Sequence, residues 1–227
     1  IAPGIGHLEE MIEIPMEEVR FPEEIGKTDA LHFWKKDLDQ RLVGIGKRNE
    51  EIYSLTANEG MLRLYNRKEK ITETSYCSYL GLRQKSYSFR VNTGVTFLPQ
   101  NESESAGIVL YQNYENHLRI EIKKKAVNKC LAVTTCIHGE ETEIACTEIV
   151  WDNQMVEICM RCDAMEAAIW VRTGETIRQV AERVDLLPYT TEEAGGFVGC
   201  TVGMYASSNG EESDNYADFG WFELTGK

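Results

Sequence analysis

From Met61 onward the chain repeats a short run of alternating apolar and polar side chains closed by a turn cluster, and this constrains the fold most. Met61-Leu62-Arg63-Leu64-Tyr65 alternates, as does Tyr87-Ser88-Phe89-Arg90-Val91-Asn92-Thr93, with Val95-Thr96-Phe97 continuing past Gly94. Gly107–Tyr111 and Leu118–Ile122 flank Asn113-Tyr114-Glu115-Asn116, a hairpin connection. Further runs at 130–137, 142–150, 154–162 and 166–172 are separated by His138-Gly139-Glu140, Trp151-Asp152-Asn153 and Thr173-Gly174-Glu175. Two last strands are expected at 197–206 and 217–224, on either side of the polar loop from Ser207 to Glu212. Side chains alternate across a strand, so each run can cover one face of a core. Many such runs, roughly 8–12 residues apart, predict one all-β sandwich or jelly-roll domain. Helical spacing is confined to an ambiguous patch at 176–184 (TIRQVAERV), and 28–40 reads as a short helix or a loop. Residues 1–25 are acidic and proline-punctuated and read as an extended lead-in.

With 37 acidic and 24 basic residues the formal charge is -13, which repels polyanions. Nucleic acid and anionic membrane surfaces are therefore unfavoured partners, whereas neutral glycans are untouched by that argument. No apolar run approaches the roughly 18 residues of a spanning helix. The start, IAPGIGHLEEM, lacks both an initiator Met and the regions of a signal peptide, so the chain reads as a processed product or part of something longer. Its seven cysteines cannot all pair, which suggests reduced thiols and a cytoplasmic location. Cys159-Glu-Ile-Cys162 has CxxC spacing, but the alternation of Val156, Ile158, Met160 and Cys162 with Glu157, Cys159 and Arg161 sends the two thiols to opposite faces. Buried packing is the preferred reading.

A glycosidase needs two carboxyls about 5–9.5 Å apart across a cleft. Asp214, Asp218 and Glu223 crowd with aromatics in DNYADFGWFEL, yet five positions along a regular strand put Asp218 and Glu223 on opposite faces. No GxSxG elbow is present, and His7, His32, His117 and His138 are dispersed without metal-ligand spacing. His117 closes the NYENH hairpin and reads as a surface or turn residue. The loop Glu211-Glu212-Ser213-Asp214-Asn215 offers oxygens for a structural calcium, although a solvated loop is the simpler reading. Trp34, Trp151, Trp170 and Trp221 are either stacking platforms for sugars or core residues.

Several segments, taken in order, resemble the C-terminal concanavalin A-like β-sandwich of glycoside hydrolase family 43 β-xylosidases and arabinofuranosidases, similar to carbohydrate-binding module family 91. They are Tyr53-Ser54-Leu55 with Gly60–Leu64, Leu82-Arg83-Gln84, Ala106–Tyr111, Thr173–Thr176, Gly195-Gly196-Phe197-Val198-Gly199, Val202–Ala206 and Ala217-Asp218-Phe219-Gly220-Trp221-Phe222. Ile177 stands where the family usually has Trp, and Gly220 where a second Asp is common. The resemblance implies a jelly roll of two antiparallel sheets over 28–227, preceded by a linker at 1–27. It also implies that the chain is not itself an enzyme and needs no cofactor. It would serve as an accessory module beside an N-terminal five-bladed propeller that carries the catalytic carboxylates. It would bind xylan or xylooligosaccharide through Arg83, Gln84, Tyr111, Asp218 and Trp221, or shape the propeller's pocket with Phe197 in a glycine-rich loop. Phe197 reads equally as an inward-facing strand residue. Regular alternation also sets Trp221 and Asp218 on opposite faces, unless a bulge at Gly220 re-aims the strand. A purely interdomain role and a free-standing glycan hydrolase are the competing readings.

Overall fold

The computed structural model describes residues 26–46, 50–73, 76–150, 152–196 and 198–226. Among them the chain runs through β1 (Lys27–His32), β2 (Tyr53–Ser54), β3 (Leu62–Tyr65), β4 (Ser78–Arg83), β5 (Phe89–Thr96), β6 (Ser105–Tyr111) and β7 (His117–Lys125). It continues with β8 (Asn128–Ile137), β9 (Glu140–Ile149), β10 (Val156–Asp163), β11 (Glu166–Thr173) and β12 (Thr176–Asp185). A one-turn helix, α1 (Thr191–Ala194), precedes β13 (Thr201–Ser207) and β14 (Tyr216–Gly226). The strands form two antiparallel sheets, as the alternation requires. The larger runs β12-β11-β10-β5-β14-β3-β2, and β1 pairs with the second half of β14 along the edge whose first half β3 occupies. The smaller runs β4-β13-β6-β7-β8-β9.

Turn chemistry sets the register. Between β8 and β9 only His138 and Gly139 intervene, both at positive φ (51° and 82°), the geometry of a two-residue primed turn whose twist suits a hairpin. The core lies between the sheets. Leu64, Val91, Val95, Ile158, Met160 and Phe219 of the larger sheet meet Leu80, Leu110, Ile120, Leu131, Val133 and Met204 of the smaller, and all are buried. Each such side chain contributes about 1.5–3 kcal/mol of transfer free energy.

Three segments differ from the sequence expectation. Residues 28–32 of the segment read as a short helix or a loop belong to β1, whose register with β14 pairs Leu31 with Phe222. The ambiguous 176–184 patch is β12, an edge strand. Ala181 opposes Ile169 while Gln179 opposes Trp170, and Val184 opposes Ala167, so each interval carries one extra residue. These two bulges space the buried Ile177, Val180 and Val184 three and four apart, which imitates a helix in the sequence. The strand expected at 197–206 begins at Thr201. Cys159 and Cys162 are both buried and point to opposite sides of β10, with Cys162 in the core between the sheets.

Candidate functional site

The outer face of the larger sheet gathers the side chains best suited to recognition. Phe219 opposes Val95 and Trp221 opposes Gly94, so Gly220 is the extra residue of a bulge in β14. The bulge shifts the alternation by one. Phe219 and Phe222 point into the core, and Asp218, Trp221 and Glu223 all point outward. The expectation that Asp218 and Glu223 face opposite surfaces is thereby corrected, as is the separation of Trp221 from Asp218. A Cβ on Gly94 would collide with the indole of Trp221 and would stand 2.6 Å from the Met155 sulfur, so only glycine leaves room for the ring over the sheet.

Asp218 is buried beneath its partners. Arg63 grips it with two hydrogen bonds of 2.8 Å, Nε to Oδ1 and Nη2 to Oδ2, and Asn58 Nδ2 donates to Oδ2 at 2.9 Å. The side chains of Arg63 and Asp218 are 16% and 7% exposed. The Tyr216 ring caps the guanidinium at 3.4 Å from its centroid, a cation–π contact. Hydrogen bonding to Asp218 raises the Arg63 pKa further. These groups wall a polar cavity of about 750 Å³. At its rim the buried Glu104 accepts from Gln100 N at 2.7 Å, Ser213 Oγ at 2.7 Å, Asn215 Nδ2 at 2.7 Å and Asn101 Nδ2 at 3.4 Å. The loop read as a calcium candidate thus spends Ser213 and Asn215 on Glu104, and its Glu212 pairs with Lys68 at 2.6 Å.

Farther across the same face Glu157 accepts from Arg172 Nη1 at 2.9 Å and Asn92 Nδ2 at 3.0 Å, and Glu223 lies 3.9 Å from Arg90. Trp170 and Trp221 are half-buried on this face, while Trp34 is 75% exposed and Trp151 lies outside the described residues. Asp218 opposes Thr96 and Glu223 opposes Asn92 on β5, four residues apart, so the two carboxylates stand roughly 13 Å apart along the strand. Distance excludes them as a glycosidase pair, whose limit is about 9.5 Å.

The other expected sugar contacts lie elsewhere. Arg83 and Tyr111 both pair with Thr201 and sit on the outer face of the smaller sheet, with the whole core between them and Asp218 or Trp221. Tyr111 is half-buried, its ring 5.8 Å from Tyr79 and 6.2 Å from His117. Gln84 follows β4 and spends its amide on Ser86 O at 3.0 Å, beside a cavity of about 270 Å³ that Tyr189 and Cys200 also line. Phe197 lies outside the described residues; Gly195 and Gly196 before it have φ of 73° and 98°. No single sugar can touch all of the expected residues, because they divide between two opposite surfaces and one edge. Arg63, Asn58, Glu157 and Arg172 were not singled out from the sequence, since only the register reveals their shared face. His117, read as a turn or surface residue, is the first residue of β7 and is fully buried. Burial and the charge of Arg119 lower its pKa to about 4.

The sandwich fits what comparison with known proteins finds. In sequence the chain is 45% identical over 224 residues to a xylosidase/arabinosidase of Butyrivibrio fibrisolvens, covering 99% of this chain and 43% of that protein. It is 27% identical over 204 residues to a non-reducing end alpha-L-arabinofuranosidase of Bacteroides ovatus, covering 85% of this chain and 38% of that one. The chain therefore spans about two-fifths of the length of these curated relatives. In structure it superposes on the Bacteroides ovatus xyloglucan PUL GH43B protein with a TM-score of 0.82 at 23% identity, over 92% of this chain and 41% of that one. The xylan beta-1,4-xylosidase of Bacillus halodurans C-125 gives 0.80 at 21% identity, over 92% and 40%. At these identities the structural likeness is one of fold. Residues 30–225 match the family described as the beta-xylosidase C-terminal concanavalin A-like domain. The chain belongs to that family.

Proposed function

We propose that this chain is a non-catalytic accessory module of a xylan-acting glycoside hydrolase, and that its larger sheet's outer face meets xylan-type glycan near the catalytic domain. One observation carries the non-catalytic part. Three carboxylates set in that face, Asp218, Glu157 and Glu223, each stand against an arginine. Asp218 and Glu223 moreover stand roughly 13 Å apart along the strand, beyond the roughly 9.5 Å limit of a glycosidase pair. The glycan part rests on the Gly220 bulge, which turns Trp221 to the side of Asp218 and leaves its ring half-exposed beside polar groups. Flat rings flanked by fixed donors and acceptors suit the apolar face and hydroxyls of a pyranose. Trp170 lies three strand spacings across and two residues along from Trp221, roughly 16 Å, so a run of several sugars rather than one would reach both.

A purely interdomain role is the second reading. The shares of the relatives' lengths favour it, because in each the rest of a larger protein accompanies the matching region. The expected partner is a five-bladed propeller whose pocket the module helps to shape. Titration calorimetry with xylooligosaccharides separates the two. Binding that weakens at least tenfold in Trp221→Ala supports the glycan reading, and no heat at millimolar ligand leaves the interdomain one. Reducing sugar released from xylan by the repurified chain alone would overturn both.

A further inference from the structure

The outer face of the smaller sheet holds a second cluster, remote from the arginine-paired face. In consecutive register Tyr111 opposes His117, His117 opposes Cys136, and Cys136 opposes Glu141, a row across β6, β7, β8 and β9. One imidazole nitrogen, the thiol sulfur and one carboxylate oxygen of the last three lie within 4.8 Å of one another. His117 and Cys136 are fully buried. Nδ1 of His117 lies 3.4 Å from the carbonyl oxygen of Asn113, whereas Nε2 is buried with no hydrogen-bond partner. A buried ring nitrogen without a partner costs about 1–3 kcal/mol and calls for an explanation. An Nδ1–H held by a backbone carbonyl is the arrangement that presents the Nε2 lone pair of a metal-bound histidine.

We propose that His117, Cys136 and Glu141 bind a thiophilic divalent cation of the zinc class, with a fourth position left to water. Imidazole, thiolate and carboxylate are the ligands that such an ion selects. Bond lengths of about 2.0–2.3 Å place tetrahedral ligand atoms about 3.3–3.8 Å apart, so any wider pair of the three would draw together on binding. Glu141, whose side chain is 42% exposed, supplies that movement and the route from solvent. The thiol now donates to Glu115 O at 3.3 Å and would release its proton to the solvent on ligation.

Arg119 is the main objection, because Nη2 lies 2.6 Å from Glu141 Oε1 and brings a positive charge to the row. Glu121, 3.8 Å from Nη1 of the same guanidinium, offsets it. With the thiol ionised, Cys136, Glu141 and Glu121 carry three negative charges against one on Arg119. A divalent cation brings that sum to zero.

Cobalt(II) titrated into the chelator-treated full chain tests the proposal. One equivalent should give the near-ultraviolet sulfur-to-cobalt band and the intense visible bands of a tetrahedral site, and zinc should displace it. Cys136→Ser should abolish the sulfur band, Glu141→Gln at the exposed position should weaken cobalt affinity at least tenfold, and Cys146→Ser should change neither. Absence of the band in the parent chain would overturn the proposal. So would its persistence in Cys136→Ser or unchanged affinity in Glu141→Gln.

Discussion

Asp218 sits where a sugar contact was expected, yet its surroundings say that it holds the fold, and Asp218→Ala decides between these roles. The substitution leaves the Arg63 guanidinium, 16% exposed, without either 2.8 Å bond and leaves Asn58 without its acceptor. Removing one member of a buried ion pair costs about 3–5 kcal/mol. Arg63 keeps its stack on Tyr216 and borders the water-accessible cavity, so the low end applies, about 3 kcal/mol. For a domain of this size each kcal/mol lowers the melting temperature by about 2–4 °C, giving a loss of roughly 6–12 °C. Replacing both partners, Arg63→Met with Asp218→Leu, removes the stranded charge and should cost less than Asp218→Ala alone. Urea unfolding followed by tryptophan fluorescence and circular dichroism reads all the variants, with the slope checked for constancy. A loss below about 1 kcal/mol in Asp218→Ala, or a double variant as unstable as the sum of the singles, would refute the reasoning. Only after that measurement can a lost sugar affinity in Asp218→Ala be assigned to contact rather than to collapse of the face.

Gly94→Val places a side chain where the Trp221 indole and the Met155 sulfur lie; it should destabilise by about 1–3 kcal/mol and shift tryptophan emission to the red. Cysteine labelling should be selective. Burial pushes Cys77, Cys159, Cys162 and Cys200 up to about 12, while the neighbouring Cys130 thiol lowers half-buried Cys146 below the usual thiol range. Iodoacetamide near pH 8 should therefore modify Cys146 first in the native chain, as peptide mapping would show, and equal labelling of all seven would contradict this. Asp39 is held down to about 2 by its hydrogen bond from Arg41. A depressed carboxyl contributes stability above its unfolded pKa near 4 and loses it as pH falls through 2. Asp39→Asn should flatten that part of the acid unfolding curve by under about 1 kcal/mol, because the pair is exposed.

The strands were legible because one face of each is buried, and alternation records burial directly. That record fails where the backbone departs from period two. Ile177, Val180 and Val184 gave a helical spacing only because two bulges lengthen β12 against β11. β1 carried little signal, since it is a mostly exposed strand added to the edge of β14. Gly220 was visible as a bulge candidate, but its effect on Asp218, Trp221 and Glu223 depends on which residue of β5 each opposes. The sequence expectation placed Arg83, Tyr111, Asp218 and Trp221 in one site, while the two sheets put them on opposite surfaces. Residue types suited to sugar say nothing about shared direction.

Chemistry in this sandwich is organised across strands rather than along them. On one surface the row Arg172, Glu157, Gly94, Trp221 draws on β11, β10, β5 and β14, and each position needs the next: the guanidinium neutralises the carboxylate, and the glycine makes room for the ring. On the other surface Tyr111, His117, Cys136 and Glu141 form a second row whose members are 6, 19 and 5 residues apart. No local motif has such spacing, which is why the histidines looked dispersed. Adjacent strands stand about 4.8 Å apart, so neighbours in such a row meet at hydrogen-bond or ligand distance without any loop to gather them. The rows also explain how one domain can carry an arginine-paired face on one surface and keep a thiol–imidazole pair buried on the other. The core fixes both registers: slipping one strand by a single residue would turn its apolar side chains from the core to the surface, so each row persists as long as the core does.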